Sequence, residues 1–123
     1  MIRYEHFGCF YDIPYEIRKS ILMRLGISGG TMRADAKRLN SECVVAFDGD
    51  KAVGWATLNR PVCGIGDDIN VFVSVPYRKQ GIGRELVNRI LPFHEKDTKL
   101  KAYPFDPRGL KLYQGFTDKI KIV

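Results

Sequence analysis

The chain has 123 residues, of which 45% are hydrophobic and 11% aromatic, and its formal net charge is +6. This composition is typical of a globular protein with one hydrophobic core, so the sequence predicts a single domain over residues 1–123. No apolar run approaches the ~20 residues that cross a membrane, and the N-terminal residues lack the apolar region of a signal peptide. We therefore expect a cytoplasmic protein with no membrane partner.

The cysteines and the basic residues narrow the choice of ligands. Cys9, Cys43 and Cys63 are an odd number without the spacing of a zinc or redox motif, so we expect neither a disulfide framework nor a bound metal. The 20 Lys and Arg residues are spread along the chain instead of forming a run. That spread favours an anionic cofactor over nucleic acid as the partner, and a basic nucleic-acid-binding protein is the alternative.

The first third of the chain predicts a strand followed by helices. Residues 2–10 can form the opening strand, and Pro14 suits the first turn of a helix over residues 14–25. Thr31 is a candidate N-cap for a second short helix that ends near Leu39.

A hairpin and a central strand come next. Residues 42–47 and 51–59 are predicted strands joined by a tight turn at Asp48-Gly49-Asp50, and Trp55 is expected in the core or on a sheet face. After a loop over residues 60–67, the apolar run 69–75 predicts a central strand that Pro76 ends.

The helix that follows the central strand begins near Gly81. Its apolar residues recur at helical spacing and predict one face packed against a sheet. Pro92 should end the helix near Leu91, and His94 is expected to be a solvated surface residue. The apolar residues of the predicted face are Ile82, Leu86, Val87 and Ile90.

The loop between this strand and helix has the features of an anion site. Gly81 and Gly83 would let a phosphate approach backbone N–H groups at the positive end of a helix dipole. Arg78, Lys79 and Arg84 add positive charge around it. The sequence therefore predicts a phosphate ligand, and a diphosphate in particular.

The sequence does not match the consensus motifs of two common phosphate-binding loops. A dinucleotide-binding G-x-G-x-x-G would need glycine where Leu86 stands, and the Gly-Lys-Ser/Thr of a P-loop occurs nowhere. What remains is Arg-x-x-Gly-x-Gly between a strand and a helix.

The C-terminal segment predicts a strand over residues 98–103, a short helix over 107–113 and a last strand over 116–123. Tyr113 ends the helix and is followed closely by Gly115-Phe116.

Together these two segments resemble the GCN5-related N-acetyltransferase (GNAT) family. Arg78 to Gly83 is similar to the family's coenzyme A diphosphate loop, and Leu100 to Phe116 is similar to its C-terminal half. From about residue 12 onward the order of elements also fits. The resemblance implies the acyl-CoA N-acyltransferase fold, an α/β fold with a mixed, mostly antiparallel central sheet flanked by helices.

The resemblance also implies a set of coenzyme-binding residues. Backbone groups of the central strand would pair with the pantetheine arm in a cleft opened by a bulge in the preceding strand, and the N–H of Val73 would polarise the thioester carbonyl. Asp106, where the family usually has asparagine, would lie near the coenzyme. The implied strand residues are Val71, Phe72 and Val73, and the implied diphosphate-binding residues are Arg78, Lys79, Gln80, Gly81, Ile82, Gly83 and Arg84.

For catalysis, the resemblance implies that Tyr113 is the general acid that donates to the coenzyme sulfur; the alternative is a packed aromatic side chain. The general base is open. Lys101 stands where some members carry glutamate, which leaves Asp67 and Asp68 as candidate bases. A water relay, or an amine that arrives neutral, would serve equally.

The activity implied by the resemblance is direct acetyl transfer from acetyl-CoA to a primary amine. Only Gln114 separates Tyr113 from Gly115, and seven residues follow Phe116, fewer than the family's final hairpin needs. We therefore expect a short, open acceptor side, which favours a protein lysine or N-terminal amine. The alternatives are a small-molecule amine acceptor and a non-catalytic coenzyme-binding or interaction module. A homodimer could complete the sheet at its C-terminal strand.

Overall fold

The computed structural model of the protein describes residues 1–8, 12–24, 42–59, 67–104 and 107–123, without the side chains of 21–24 and 59. The second predicted helix, from Thr31 to Leu39, lies outside the described residues, as do Cys9, Cys63 and the loop over 60–66.

Six strands form one mixed sheet whose spatial order follows the chain. The elements are β1 (Ile2–Phe7), α1 (Tyr15–Arg24), β2 (Cys43–Asp48), β3 (Lys51–Asn59), β4 (Asp68–Val73), α2 (Ile82–Ile90), β5 (Leu100–Ala102), α3 (Pro107–Gln114) and β6 (Ile120–Ile122). Neighbours from β1 to β4 are antiparallel, whereas β5 runs parallel to β4 and β6 runs parallel to β5. This is the mixed, mostly antiparallel α/β sheet that the sequence predicts.

The larger part of the core lies between α2 and one face of the sheet. All four residues of the predicted apolar face of α2 are buried, which confirms the helical spacing read from the sequence. Their partners are alternate residues of the central strands, because side chains along a strand point to opposite faces. These partners include Val44, Ala46, Val53, Ala56, Leu58 and Ile69.

The other face of the sheet carries a second, smaller apolar cluster beside α1. Ile13, just before α1, is 1% exposed, and Ile17 within the helix packs against the same cluster. The cluster includes Trp55, which is 3% exposed and stacks on Phe72 with ring centroids 4.7 Å apart. Trp55 is therefore a core aromatic.

No helix among the described residues combines the length and the apolar character that crossing a bilayer requires.

The central hairpin agrees with its prediction. Asp48 pairs with Lys51 across the turn, and Gly49 has φ +62°, a conformation that glycine adopts without strain. The register between β2 and β3 then shifts by one residue between Ala46 and Phe47.

Several strands are shorter than predicted: β5 spans Leu100–Ala102 instead of residues 98–103, and for β4 and the last strand the cause is local. Ser74 N–H still donates to the Val53 carbonyl at 2.8 Å, but β4 ends at Val73 because a 3₁₀ turn, Val75–Tyr77, follows. The last strand begins at Ile120 instead of Phe116, because Phe116 N–H bonds back to the Tyr113 carbonyl and continues the turn after α3.

Close contact between β3 and β4 depends on a glycine. A Cβ added to Gly54 would lie 2.9 Å from the Phe72 carbonyl oxygen and 3.3 Å from Leu86 Cδ1. Gly54→Ala should therefore force the backbones apart and lower the free energy of unfolding by about 1–3 kcal/mol in chemical denaturation. Gly8→Ala is the control, since the nearest atoms to its added Cβ are side-chain atoms at 3.9 Å. Equal stability of the two variants would contradict this account of the packing.

Candidate functional site

The loop between β4 and α2 is fixed from both sides. Tyr77 donates its hydroxyl proton to Asp48 Oδ2 at 2.7 Å, which ties the 3₁₀ turn to the β2–β3 hairpin. This hydrogen bond also raises the pKa of Tyr77. Arg78 Nε donates to the Val73 carbonyl at 2.9 Å, so the loop is tied back to the end of β4.

The loop presents a run of backbone N–H groups. Lys79 and Gly81 both have positive φ, at 63° and 81°, and Gly81 is the N-cap of α2. Among the described residues, no carbonyl accepts a hydrogen bond from the N–H groups of residues 79–84, whereas Glu85 N–H already bonds to the Gly81 carbonyl. Consecutive N–H groups in such a turn at a helix N-terminus form a concave anion site.

Two predicted loop residues have more specific positions. Arg78 is half-buried and uses its Nε on the Val73 carbonyl, so it shapes the loop as well as adding charge. At Gly83 an added Cβ would lie 3.5 Å from Leu112 Cδ2 and 3.7 Å from Val73 Cγ2, which is ordinary contact distance. Lys79, Gln80 and Arg84 are exposed around them.

Next to this loop the sheet opens into a cleft. β4 and β5 pair only at Asp68 and Lys101, and Lys101 N–H donates to the Asp67 carbonyl at 3.0 Å. Beyond that point β4 loses its strand partner on this side. The register shift that the structure shows lies between β2 and β3, at Ala46 and Phe47, whereas the register between β3 and β4 is regular from Gly54 to Asn59.

Alternate residues of β4 direct their backbone groups into the cleft. The Val73 carbonyl is reached by Arg78, and Val71 N–H donates to the Tyr113 hydroxyl. The Phe72 carbonyl instead faces Gly54 of β3. Because backbone groups alternate sides along a strand, Val71 and Val73 can offer hydrogen bonds to a ligand in the cleft, whereas Phe72 contributes its ring to the α1 face.

Tyr113 closes the cleft from α3. Its side chain is 5% exposed, and its hydroxyl accepts a hydrogen bond from Val71 N–H. The pKa of Tyr113 is raised to about 12, mainly by burial and to a smaller extent by the charge of Asp68, while the Val71 N–H acts in the opposite direction. The hydroxyl is therefore protonated at neutral pH and can donate a proton or a hydrogen bond.

The two candidate bases have different surroundings. Asp67 is 6% exposed, and its Oδ2 lies 3.1 Å from Lys96 Nζ and 3.5 Å from His94 Nδ1. The side chain of His94 is 8% exposed and lies beside this carboxylate, so the prediction of a solvated histidine is wrong. Nothing in the local sequence indicates this long-range partner. Asp68, by contrast, is close enough to Tyr113 to influence its pKa.

The structure thus brings the loop, the β4 backbone and Tyr113 together at one cleft. Asp106 lies outside the described residues. Within the described part of the chain there is no group of three or more metal-ligating side chains. The contact between Val71 and Tyr113 is likewise not indicated by the sequence, because these residues are separated by 42 positions and no local pattern joins them.

Comparison with known proteins identifies the family and the fold. A profile of the acetyltransferase (GNAT) family matches residues 4–116. The chain belongs to the GNAT acetyltransferase family. No curated protein sequence matches the chain.

Solved structures of GNAT proteins share the fold. A GNAT family acetyltransferase from Streptococcus pneumoniae aligns with a TM-score of 0.70 at 19% identity, over 95% of this chain and 86% of that one. A ribosomal-protein-alanine N-acetyltransferase from Brucella melitensis biovar Abortus aligns with a TM-score of 0.64 at 18% identity, over 94% and 89%. An aminoglycoside acetyltransferase from an uncultured soil metagenomic sample has a TM-score of 0.60 at 18% identity, over 93% and 86%. At these identities the likeness extends to the fold and leaves the acceptor class open.

The buried Tyr113 hydroxyl should make stability depend on pH. Because the pKa in the folded protein is about 12 and that of an exposed tyrosine is about 10, the unfolded chain loses this proton first as the pH rises. The stabilisation is complete below pH ~10 and is lost as the pH rises through ~12, at about 1.4 kcal/mol per pH unit. Denaturant unfolding of the wild type and Tyr113→Phe between pH 8 and 12 should show this difference.

Tyr103→Phe, at a tyrosine that is 45% exposed, controls for the loss of a hydroxyl elsewhere on the protein. Parallel stability curves for the wild type and Tyr113→Phe over this range would contradict the assigned environment of Tyr113.

Proposed function

We propose that this GNAT protein transfers the acetyl group of acetyl-CoA directly to a primary amine. The observation that carries the proposal is the convergence of Val71 N–H and the Tyr113 hydroxyl in a cleft that adjoins the N–H groups of residues 79–84, which bond to no carbonyl of the described residues. An anion site, a strand edge and a proton donor are the three elements that holding and activating a thioester requires.

Each element has a separate task in binding. The N–H groups of the loop bind the diphosphate, with Lys79 and Arg84 adding charge from the surface. The pantetheine arm lies along β4, where Val71 and Val73 supply backbone groups in the manner of an added strand. Arg78 acts through the Val73 carbonyl that it holds.

Transfer forms a C–N bond between the amine nitrogen and the thioester carbonyl carbon and breaks the C–S bond. Val71 N–H is free to donate to the thioester carbonyl once the acetyl group separates it from Tyr113, so Val71 replaces the expected Val73 as the polarising N–H. The Tyr113 hydroxyl then donates to the departing sulfur. Because a thiol has a pKa of about 8.5 and that of Tyr113 is about 12, a hydrogen bond to the thiolate is favoured over complete proton transfer.

The base that accepts the amine proton is Asp68 in this proposal, with a water relay as the alternative. Asp67 fits the role less well because it is buried against Lys96 and His94. The acceptor is a primary amine of a protein or peptide, and a small-molecule amine is the second candidate. Relatives named for either kind of substrate share the fold, so the fold favours neither acceptor.

Coenzyme binding tests the loop. Calorimetric titration should give a micromolar Kd for acetyl-CoA, and Gly83→Glu should weaken binding at least ~100-fold, because it adds a negative charge to the loop whose N–H groups bind the diphosphate. Gly83→Ala is the matched control, since its Cβ meets only Leu112 and Val73 at ordinary contact distances. Absence of binding to the natural chain would overturn the proposed function.

Turnover tests Tyr113. A hydrogen bond to a charged group contributes about 1.5–3 kcal/mol, so Tyr113→Phe should lower kcat roughly 10- to 100-fold while the Kd for acetyl-CoA changes little. Rates measured by thiol release with a fixed amine acceptor would establish this. Full activity of the variant would remove Tyr113 from the reaction, and acetyl-CoA binding without any turnover by the wild type would favour the non-catalytic module.

A further inference from the structure

Two polar side chains face each other on the α1 side of the sheet, next to the cleft. Thr57 of β3 pairs directly with Asn70 of β4, one step along from the stacked pair of Trp55 and Phe72. Thr57 is 1% exposed, and no described residue forms a hydrogen bond with its Oγ1. Asn70 is half-buried, and the described residues provide no hydrogen bond to its side-chain amide.

Packing alone does not account for this pair. The neighbouring row on the same face is aromatic, and Cys43 on the other side of Thr57 is buried and apolar. Valine has nearly the same shape as threonine and would fill the position without burying an unpaired hydroxyl. The hydroxyl at position 57 is therefore a local cost to stability, and such costs are concentrated at functional sites.

The pair lies beside the point of transfer. Asn70 directly precedes Val71, whose N–H meets the Tyr113 hydroxyl, and one residue along a strand spans about 3.3 Å. Directly opposed side chains have Cβ atoms about 5 Å apart, so a rotation of the Asn70 amide brings its oxygen within reach of the Thr57 hydroxyl. The amide NH₂ group of Asn70 is then directed away from Thr57 and toward the cleft.

From this arrangement, which rests on the proposed function, we infer that Asn70 binds a hydrogen-bonding group of the acceptor located two or three bonds from the reacting nitrogen. Thr57 is the positioning residue that orients the Asn70 amide. Acceptors that fit this description carry a polar group close to the reacting amine, as in the N-terminal α-amino group of a peptide or the amino group of an amino sugar. A lysine ε-amino group or a simple alkylamine places only methylene groups at this distance and leaves Asn70 unpaired.

A panel of four acceptors with acetyl-CoA tests this choice in the full-length protein. The acceptors are a lysine-free peptide with a free N-terminus, an N-terminally capped peptide with one lysine, glucosamine, and n-butylamine. The kcat/KM for the free N-terminus or for glucosamine should exceed that for the capped lysine and for butylamine at least tenfold. Whichever of the free N-terminus and glucosamine has the higher kcat/KM shows whether the natural acceptor is a peptide or an amino sugar. Equal or faster acetylation of the capped lysine or of butylamine would overturn the inference.

Variants separate the positioning role from a structural one. Thr57→Val should reduce the selectivity over butylamine about three- to tenfold, mainly through KM for the acceptor, while it raises the melting temperature and leaves the Kd for acetyl-CoA unchanged. Thr57→Ser keeps the hydroxyl and should keep the selectivity. Asn70→Leu should lose the selectivity, and Thr117→Val, at an exposed residue, is the matched control.

The outcomes distinguish the inference from the proposed function. Wild-type selectivity in both Thr57→Val and Asn70→Leu, or a lower melting temperature for Thr57→Val, would overturn the inference while acetyl transfer stands. Binding of acetyl-CoA with transfer to none of the four acceptors would overturn both.

Discussion

The single pairing position between β4 and β5 is the constraint on which the rest of the site depends. Parallel neighbours normally satisfy each other's backbone groups along their length, but here only Asp68 and Lys101 are partners. Side chains bond instead to two of the backbone groups of β4 that follow Asp68: Arg78 bonds to the Val73 carbonyl, and the Tyr113 hydroxyl bonds to the Val71 N–H. A typical hydrogen bond contributes only about 0.5–1.5 kcal/mol net, so a ligand that lies along β4 can replace such a partner at little cost.

The phosphate loop illustrates how a site can be rigid and still offer unpaired groups. The bonds that fix it come from its flanks, through Ser74 to Val53, Tyr77 to Asp48 and Arg78 to Val73. The N–H groups between residues 79 and 84 take no part in that support. Because the loop is held before a ligand arrives, little conformational entropy remains to be lost on binding.

Much of this architecture follows from local signals in the sequence. Proline at 76 and 92, glycine at 49 and 81, and the apolar face of α2 fix where strands and helices begin and end to within about two residues, because each acts on its own backbone neighbourhood. The family resemblance then supplied the order of strands and the candidate role of Tyr113.

The remaining features depend on partners distant in the sequence. The burial of His94 against Asp67 and the contact between Val71 and Tyr113 arise only when the sheet assembles. The late start of β6 has a similar origin, because Phe116, which the sequence places at the start of the last strand, belongs to the turn after α3. Thr57 is a further example: a threonine in a strand is unremarkable in the sequence, and only the fold shows that no described residue bonds to its buried hydroxyl.

The most direct test of the central claim is the backbone amide NMR spectrum during titration with acetyl-CoA. The account predicts that the amide resonance of Val71 shifts together with those of residues 79–84, because the N–H exchanges the Tyr113 hydroxyl for the ligand while the loop binds the diphosphate. Saturable binding that leaves the Val71 amide and the loop amides unperturbed would contradict it.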